Sequence, residues 1–313
     1  MRRCRTISAV CIAVLLAGLI VGAQPAVAGP ATILVLGGKD APPYREALQG
    51  FRDTLAQQGV AATLDVQFFG DDEKQGRTRV EAAAGRGDRL IFALGSAATR
   101  LASAQAKVPV VATLVLDAAA IRGAANVTGV PLGFPVEAEL QWVQRLLPDR
   151  QRVGVLYNTA QNGEIIAEAR RQARKLGLEL VAQEVHTAKD LPDALESLAN
   201  KVDVLWGVAD SVVLSPETAK AILLFSFRNR IPFVGLSEAW VKAGALYSLE
   251  RDYADLGAQC AGMAGQLLQG KGAAAVPVEA PRRVLYSLNQ KTAERMKVEI
   301  PQPLVRDAKK IYD

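Results

Sequence analysis

Two stretches carry the side chains best placed to hold a ligand: 88–99, DRLIFALGSAAT, and 202–214, VDVLWGVADSVVL. Each is an apolar run that breaks into small and polar residues. Aligning 90–99 with 204–213 sets Ser96 opposite Asp210. A hydroxyl and a carboxylate beyond the ends of parallel strands, beside the free N–H groups of helix N-termini, suit a polar or charged small molecule. Thr99 lies one helical turn beyond Ser96. Groups that would react with such a molecule are scarce. His186 is the only histidine and sits in the polar run VHTAKD, which reads as a solvated loop. Beyond residue 28 the only cysteine is Cys260, which repeats with Leu256, Met263 and Leu267 as part of a helix face and reads as a core residue. No zinc cluster and no Cys–His pair stands out. The 95–99 loop lacks the glycine-lysine ending of a nucleotide P-loop, and no GxGxxG follows the first strand. No spacing points to serine–lysine or paired-carboxylate chemistry either, so gripping and releasing, without catalysis or a cofactor, is the expectation.

The elements that must position these residues follow from periodicity. Apolar runs at 31–38, 61–69, 90–94 and within 108–116 read as strands, and amphipathic segments separate them. Tyr44, Leu48, Phe51 and Leu55 share one helix face, and Gly59 stops that helix. The pattern then begins again, with strands at 152–158, 178–185, 202–208 and 231–236. The second-pass helix over 165–176 ends at Gly177, as the first ended at Gly59. Ser215, Pro216 and Glu217 mark another helix start. Strands alternating with helices imply parallel βαβ units. Two such passes make an α/β protein of two similar halves, each with a parallel sheet.

Composition narrows the class of partner. The chain has 37 Lys+Arg against 32 Asp+Glu, but Arg2, Arg3 and Arg5 lie in the first 28 residues. That segment has an apolar run from Ile7 to about Val21 and ends in Ala26-Val27-Ala28, a cleavable secretory signal rather than a membrane span. The remainder is nearly neutral and has no basic stripe with interleaved aromatics, so a nucleic-acid partner is not expected. A secreted, periplasmic location is. With one mature cysteine, no intrachain disulfide is possible.

The segments NVTGVPLGFP (126–135), RVGVLYN (152–158), VDVLWGVADSVVL (202–214), RIPFVGLSEAWVKAGALYSLERDYADLG (230–257) and SLNQKTAERMKVEIP (287–301) resemble bacterial ABC-transporter substrate-binding proteins. The similarity is to the branch with tryptophan- and other amino-acid-binding members, and it covers nearly the whole mature chain. It implies a type I periplasmic-binding fold: two Rossmann-like lobes, three hinge strands, and a ligand trapped between the lobes. It also implies lobes of residues 29–125 with 244–282, and 126–243 with 283–313. By position it implies ligand contacts at Ser96, Thr99, Asp117, Asn158, Asp210, Ser211, Ser237 and Tyr253. Ala118 stands where many relatives have a proline after the aspartate, which alters that loop. Tyr44 and Trp240 would pack an apolar ligand body. The expected protein is a monomer that captures an amino acid or similar metabolite and delivers it to the permease of an importer; the alternative is delivery to a membrane sensor. A secreted hydrolase would need a reacting constellation. A repressor would need an N-terminal DNA-binding motif in place of the signal.

Overall fold

The computed structural model describes residues 30–116 and 118–313; the expected signal segment and Asp117 lie outside them. The first sheet contains β1 (Ala31–Gly37), β2 (Ala62–Phe68), β3 (Asp88–Leu94), β4 (Val110–Thr113) and β5 (Val127–Val130). All pairs are parallel, in the order β2-β1-β3-β4-β5. The crossovers carry α1 (Pro42–Gln57), α2 (Glu73–Ala83), α3 (Ser96–Gln105) and the short α4 (Ala119–Arg122). In β1, Ile33 and Val35 share one core with Leu48 and Phe51, while Leu34 and Leu36 share the opposite core with Leu101 and Ile121. Strand side chains alternate between faces, so an unbroken apolar run serves helices on both sides.

The second lobe repeats the plan. It runs α5 (Val136–Leu146), β6 (Arg152–Tyr157), α6 (Thr159–Lys175), β7 (Glu179–Glu184), α7 (Leu191–Leu198), β8 (Val204–Trp206), α8 (Pro216–Asn229), β9 (Phe233–Gly235), α9 (Glu238–Ala243) and β10 (Tyr247–Arg251). Next, α10 (Tyr253–Leu268) returns to the first lobe and packs on α1. The chain closes with β11 (Val284–Asn289), α11 (Gln290–Met296), α12 (Gln302–Arg306) and β12 (Lys310–Tyr312) in the second lobe. The second sheet has the order β12-β11-β10-β9-β8-β6-β7, parallel except where β10 meets β11. The helix stops behave as read: Gly59 and Gly177 have φ of 68° and 71°, a region open to glycine. Ser215 opens α8 in a capping box with Thr218.

The crossings fall elsewhere than the sequence boundaries at 126 and 244. Val127–Val130 is the edge strand of the first sheet, hydrogen-bonded to β4. Tyr247–Arg251 pairs with β9 and β11, so it belongs to the second sheet and the return to the first lobe begins only at α10. The three crossings are therefore 131–135, Asp252 and Arg283. Polar ties brace them. Arg251 donates from Nε to the Leu132 carbonyl at 3.0 Å, Arg283 pairs with Asp252 at 2.9 Å, and Arg282 pairs with Asp255 at 2.6 Å.

Where α1 and α10 cross, glycines let the backbones meet. A Cβ on Gly257 would lie 1.8 Å from the Ala47 carbonyl oxygen, and one on Gly50 would lie 1.9 Å from that of Ala254.

Candidate functional site

At the carboxyl ends of β1, β3 and β4 the first lobe forms a cavity of about 600 Å³. Its polar wall has Lys39, Ser96 and the start of α3, with the carboxylates of Asp71 and Glu73 on the same rim. The first turn of α3 has no side-chain cap and no acid, so its N–H groups are open to an acceptor. Gly95 makes this turn possible. It sits at φ 91°, and a Cβ there would come within 2.6 Å of the Tyr44 hydroxyl. The apolar wall has Tyr44, Phe69, Leu114, Leu116 and Leu132. Burial holds the Tyr44 phenol above its ordinary pKa, so it is neutral. Leu114 is buried at φ 60°, a left-handed conformation that costs a side-chain-bearing residue about 1–2 kcal/mol. Just beyond it Leu116 is 78% exposed, more than any other large apolar side chain among the described residues.

Of the residues expected to meet a ligand, Ser96 and Tyr44 line this cavity. Thr99 does not. It is fully buried, and its hydroxyl donates to the Gly95 carbonyl at 3.0 Å, which braces the loop from behind. Tyr253 leans on the first-lobe core, and Trp240 packs edge-on against Phe233 at 5.4 Å.

In the second lobe, Asp210 departs most from expectation. It is 5% exposed, and four donors occupy its carboxylate. Oδ2 accepts from the Asn158 N–H at 2.7 Å and from Asn162 Nδ2 at 2.8 Å. Oδ1 accepts from the N–H groups of Val212 and Val213 at 2.9 and 3.0 Å. Asp210 thus ties the loop after β6 to the loop after β8, and its lone pairs are taken. Asn158 is similarly engaged, donating from Nδ2 to the Val185 carbonyl at 3.0 Å. Ser211 is exposed and bonds Gln161 at 3.0 Å. Ser237 is exposed at the start of α9 without a capping bond. Asn158, Asp210, Ser211 and Ser237 do not line the first-lobe cavity, which holds Ser96 without them in this conformation. His186 is solvated and Cys260 is buried, its thiol pushed up to about 12 by desolvation.

Sequence reasoning missed a second polar place. Beyond the carboxyl ends of β8, β9 and β10 lies a cavity of about 40 Å³, walled by Phe134, Glu139, Trp206, Gly207, Leu236 and Arg251, among others. Glu139 Oε2 accepts from the Trp206 indole N–H at 2.9 Å. Burial pushes the Glu139 carboxyl up to about 7, against the pull of that hydrogen bond and of the Arg251 charge. The Arg251 guanidinium lies over the Phe134 ring at 4.9 Å. The available signal was an acid on an apolar stripe: Val136, Glu139, Leu140 and Val143 share one helix face. A further cavity of about 530 Å³ lies against α11 and α12, away from the strand ends. Among the described residues there is no metal-binding cluster, and no helix is long and apolar enough to cross a membrane.

Residues 35–312 match the sequence model of the family described as ABC transporter substrate binding protein. The chain is 25% identical over 272 residues to the tyrosine-binding protein of Clostridioides difficile (strain R20291), covering 82% of this chain and 78% of that one. Its fold is that of a ligand-free, open substrate-binding protein with adhesive properties from Clostridium difficile, with a TM-score of 0.72 at 23% identity over 90% of this chain and 99% of the other. A second structure with this fold is a Streptococcus pneumonia ABC domain in complex with L-Trp, with a TM-score of 0.56 at 23% identity over 90% and 100% of the two chains. The two lobes are those of type I periplasmic binding proteins.

Proposed function

Because the chain belongs to the ABC transporter substrate-binding protein family, we propose that it captures an amino acid with an apolar or aromatic side chain between its lobes and delivers it to an importer outside the cytoplasm. The observation that carries this reading is the first-lobe cavity. Its volume of about 600 Å³ is that of a small-molecule site, with both donors (Lys39, Ser96, the start of α3) and acids (Asp71, Glu73) on its polar side and Tyr44, Phe69, Leu114 and Leu116 on the other. A ligand with one polar end and one apolar body matches both walls. The relatives named for tyrosine or solved with L-Trp bind ligands of that shape. Ser211 and Ser237, exposed on the opposite lobe, would meet the ligand as the lobes close. Contacts on both lobes favour the closed form, which is what a shuttle to a permease requires. The lobes that close are residues 30–130 with 253–282, and 131–251 with 284–313. A cleaved signal over 1–28 would carry the protein to the periplasm.

The test is titration calorimetry with L-tyrosine, L-tryptophan and L-leucine. At least one should bind, and at about 100 times its Kd it should stabilise the fold by about 2.7 kcal/mol. Leu116→Ser should weaken that ligand by about tenfold or more, the scale of a leucine side chain removed from an apolar contact. It should leave the unfolding midpoint of the free protein unchanged, because Leu116 is exposed there. Unaltered affinity in Leu116→Ser would remove this residue from the ligand's surroundings.

A further inference from the structure

Asp210 has no lone pair left for a ligand, yet the second lobe does present an acid and a base together at its strand ends. We propose that Glu139 and Arg251 form a seat for the charged head of an amino acid, Glu139 receiving the ammonium and Arg251 the carboxylate. The inference rests on reading the cleft as an amino-acid site.

Four observations support it. First, both side chains wall the same cavity of about 40 Å³, and no ion pair within 4.0 Å joins them among the described residues. A half-buried acid and a nearby guanidinium that do not meet leave a gap between opposite charges. A zwitterionic head fills such a gap with both charges matched. Second, the volume is sufficient for one or two waters, a content that a small polar head can displace. Third, the place is right. Trp206, Gly235 and Arg251 end β8, β9 and β10, and ligands of open parallel sheets bind beyond the carboxyl ends of strands. The crossing segment joins the two cavities, since Leu132 walls the large one and Phe134 the small one. A ligand with its ammonium at Glu139 would share its carboxylate between Arg251 and the donors at the start of α3, and lay its apolar body on Tyr44, Phe69 and Leu116 of the first lobe. Fourth, Glu139 has one oxygen on the Trp206 indole, and that bond fixes the carboxyl while its other oxygen has no hydrogen-bond partner among the described residues.

The groups acting on Glu139 are few. Arg251 comes from β10, the Trp206 indole from β8, and the Tyr247 hydroxyl, buried without a partner, feels the Glu139 charge from β10. With its carboxyl near 7, Glu139 must give up a proton to receive an ammonium at or below neutral pH. Binding should then tighten from about pH 6 to pH 8 and level off, with proton release of up to about one per ligand.

The experiment is a cycle that removes one charge at a time. The tightest of L-tyrosine, L-tryptophan and L-leucine is titrated into wild type, Glu139→Gln and Arg251→Gln, beside its deaminated and its decarboxylated analogues. Glu139→Gln should weaken the amino acid by about 10- to 100-fold but change the deaminated analogue by less than about twofold. It should also flatten the pH profile. Arg251→Gln should show the mirror pattern with the decarboxylated amine. If either variant does not fold, the other cycle decides. Equal losses for the amino acid and the analogue lacking the matching charge would overturn the seat, as would unchanged binding. If wild type binds none of the three amino acids, the amino-acid reading falls with it. If wild type binds and the cycle is additive, only the seat falls.

Discussion

Gly257→Val is expected to prevent the first lobe from folding, whereas Gly262→Ala, five residues along the same helix, should be tolerated. The two glycines differ in what a side chain would meet. At Gly257 the obstacles are the Ala47 carbonyl oxygen at 1.8 Å and the Phe51 nitrogen at 2.9 Å, both main-chain atoms of α1. Overpacking against side chains costs about 1–3 kcal/mol because rotamers yield. Here the helices themselves would have to separate, and α10 supplies Leu256, Cys260, Met263 and Leu267 to the core under α1. The expected loss exceeds about 3 kcal/mol, a large part of an ordinary stability. At Gly262 the nearest atom is the end of the Gln58 side chain at 3.9 Å. Alanine there should stabilise by about 0.5–1 kcal/mol through helix propensity. Urea unfolding of the two variants checks both; equal midpoints would mean that the close α1–α10 contact is not formed.

Asp210→Ala is expected to destabilise by about 3–5 kcal/mol, since it removes a buried carboxylate with four donors and leaves the N–H groups of Asn158, Val212 and Val213 without it. Asp210→Asn should cost less, because the amide keeps one acceptor oxygen but turns an N–H₂ group toward donors. Urea titration gives the stability and calorimetry the affinity. A variant as stable as wild type that has lost ligand binding would return Asp210 to the ligand and refute its role as a tie between loops.

This residue shows where sequence reading stops. The alignment of 90–99 with 204–213 correctly placed Ser96 and Asp210 after equivalent strands, because strand ends follow from apolar runs. Which way a polar side chain turns depends on donors supplied by other loops, here Asn158 and Asn162, about 50 positions earlier. Thr99 differs: its hydroxyl is satisfied locally, by the Gly95 carbonyl one turn back, and its side chain is fully buried. The repeat of strands and helices was legible because each central strand buries both faces. By contrast Tyr247–Arg251 alternates Tyr, Ser, Leu, Glu and Arg, and nothing local says which sheet it joins. Glu139 was hidden in plain pattern: an amphipathic stripe with an acid on its inner side reads as a helix, and the acid is easily passed over.

The return of α10 to the first lobe also bears on how the protein is made. Synthesis delivers β1 to β5 first, complete as a sheet but covered on one face only by α1 until residues 253–268 exist. At about 5–20 residues per second, the stretch between β5 and the end of α10 takes on the order of ten seconds to emerge. Throughout that interval Val111 and Val130 lack their α10 partners, including Cys260 and Met263. The first lobe thus completes its core only once residues 253–268 are present, despite being first in the chain. A released fragment of residues 29–130 should be open to protease, whereas the full mature chain should be resistant over 31–130.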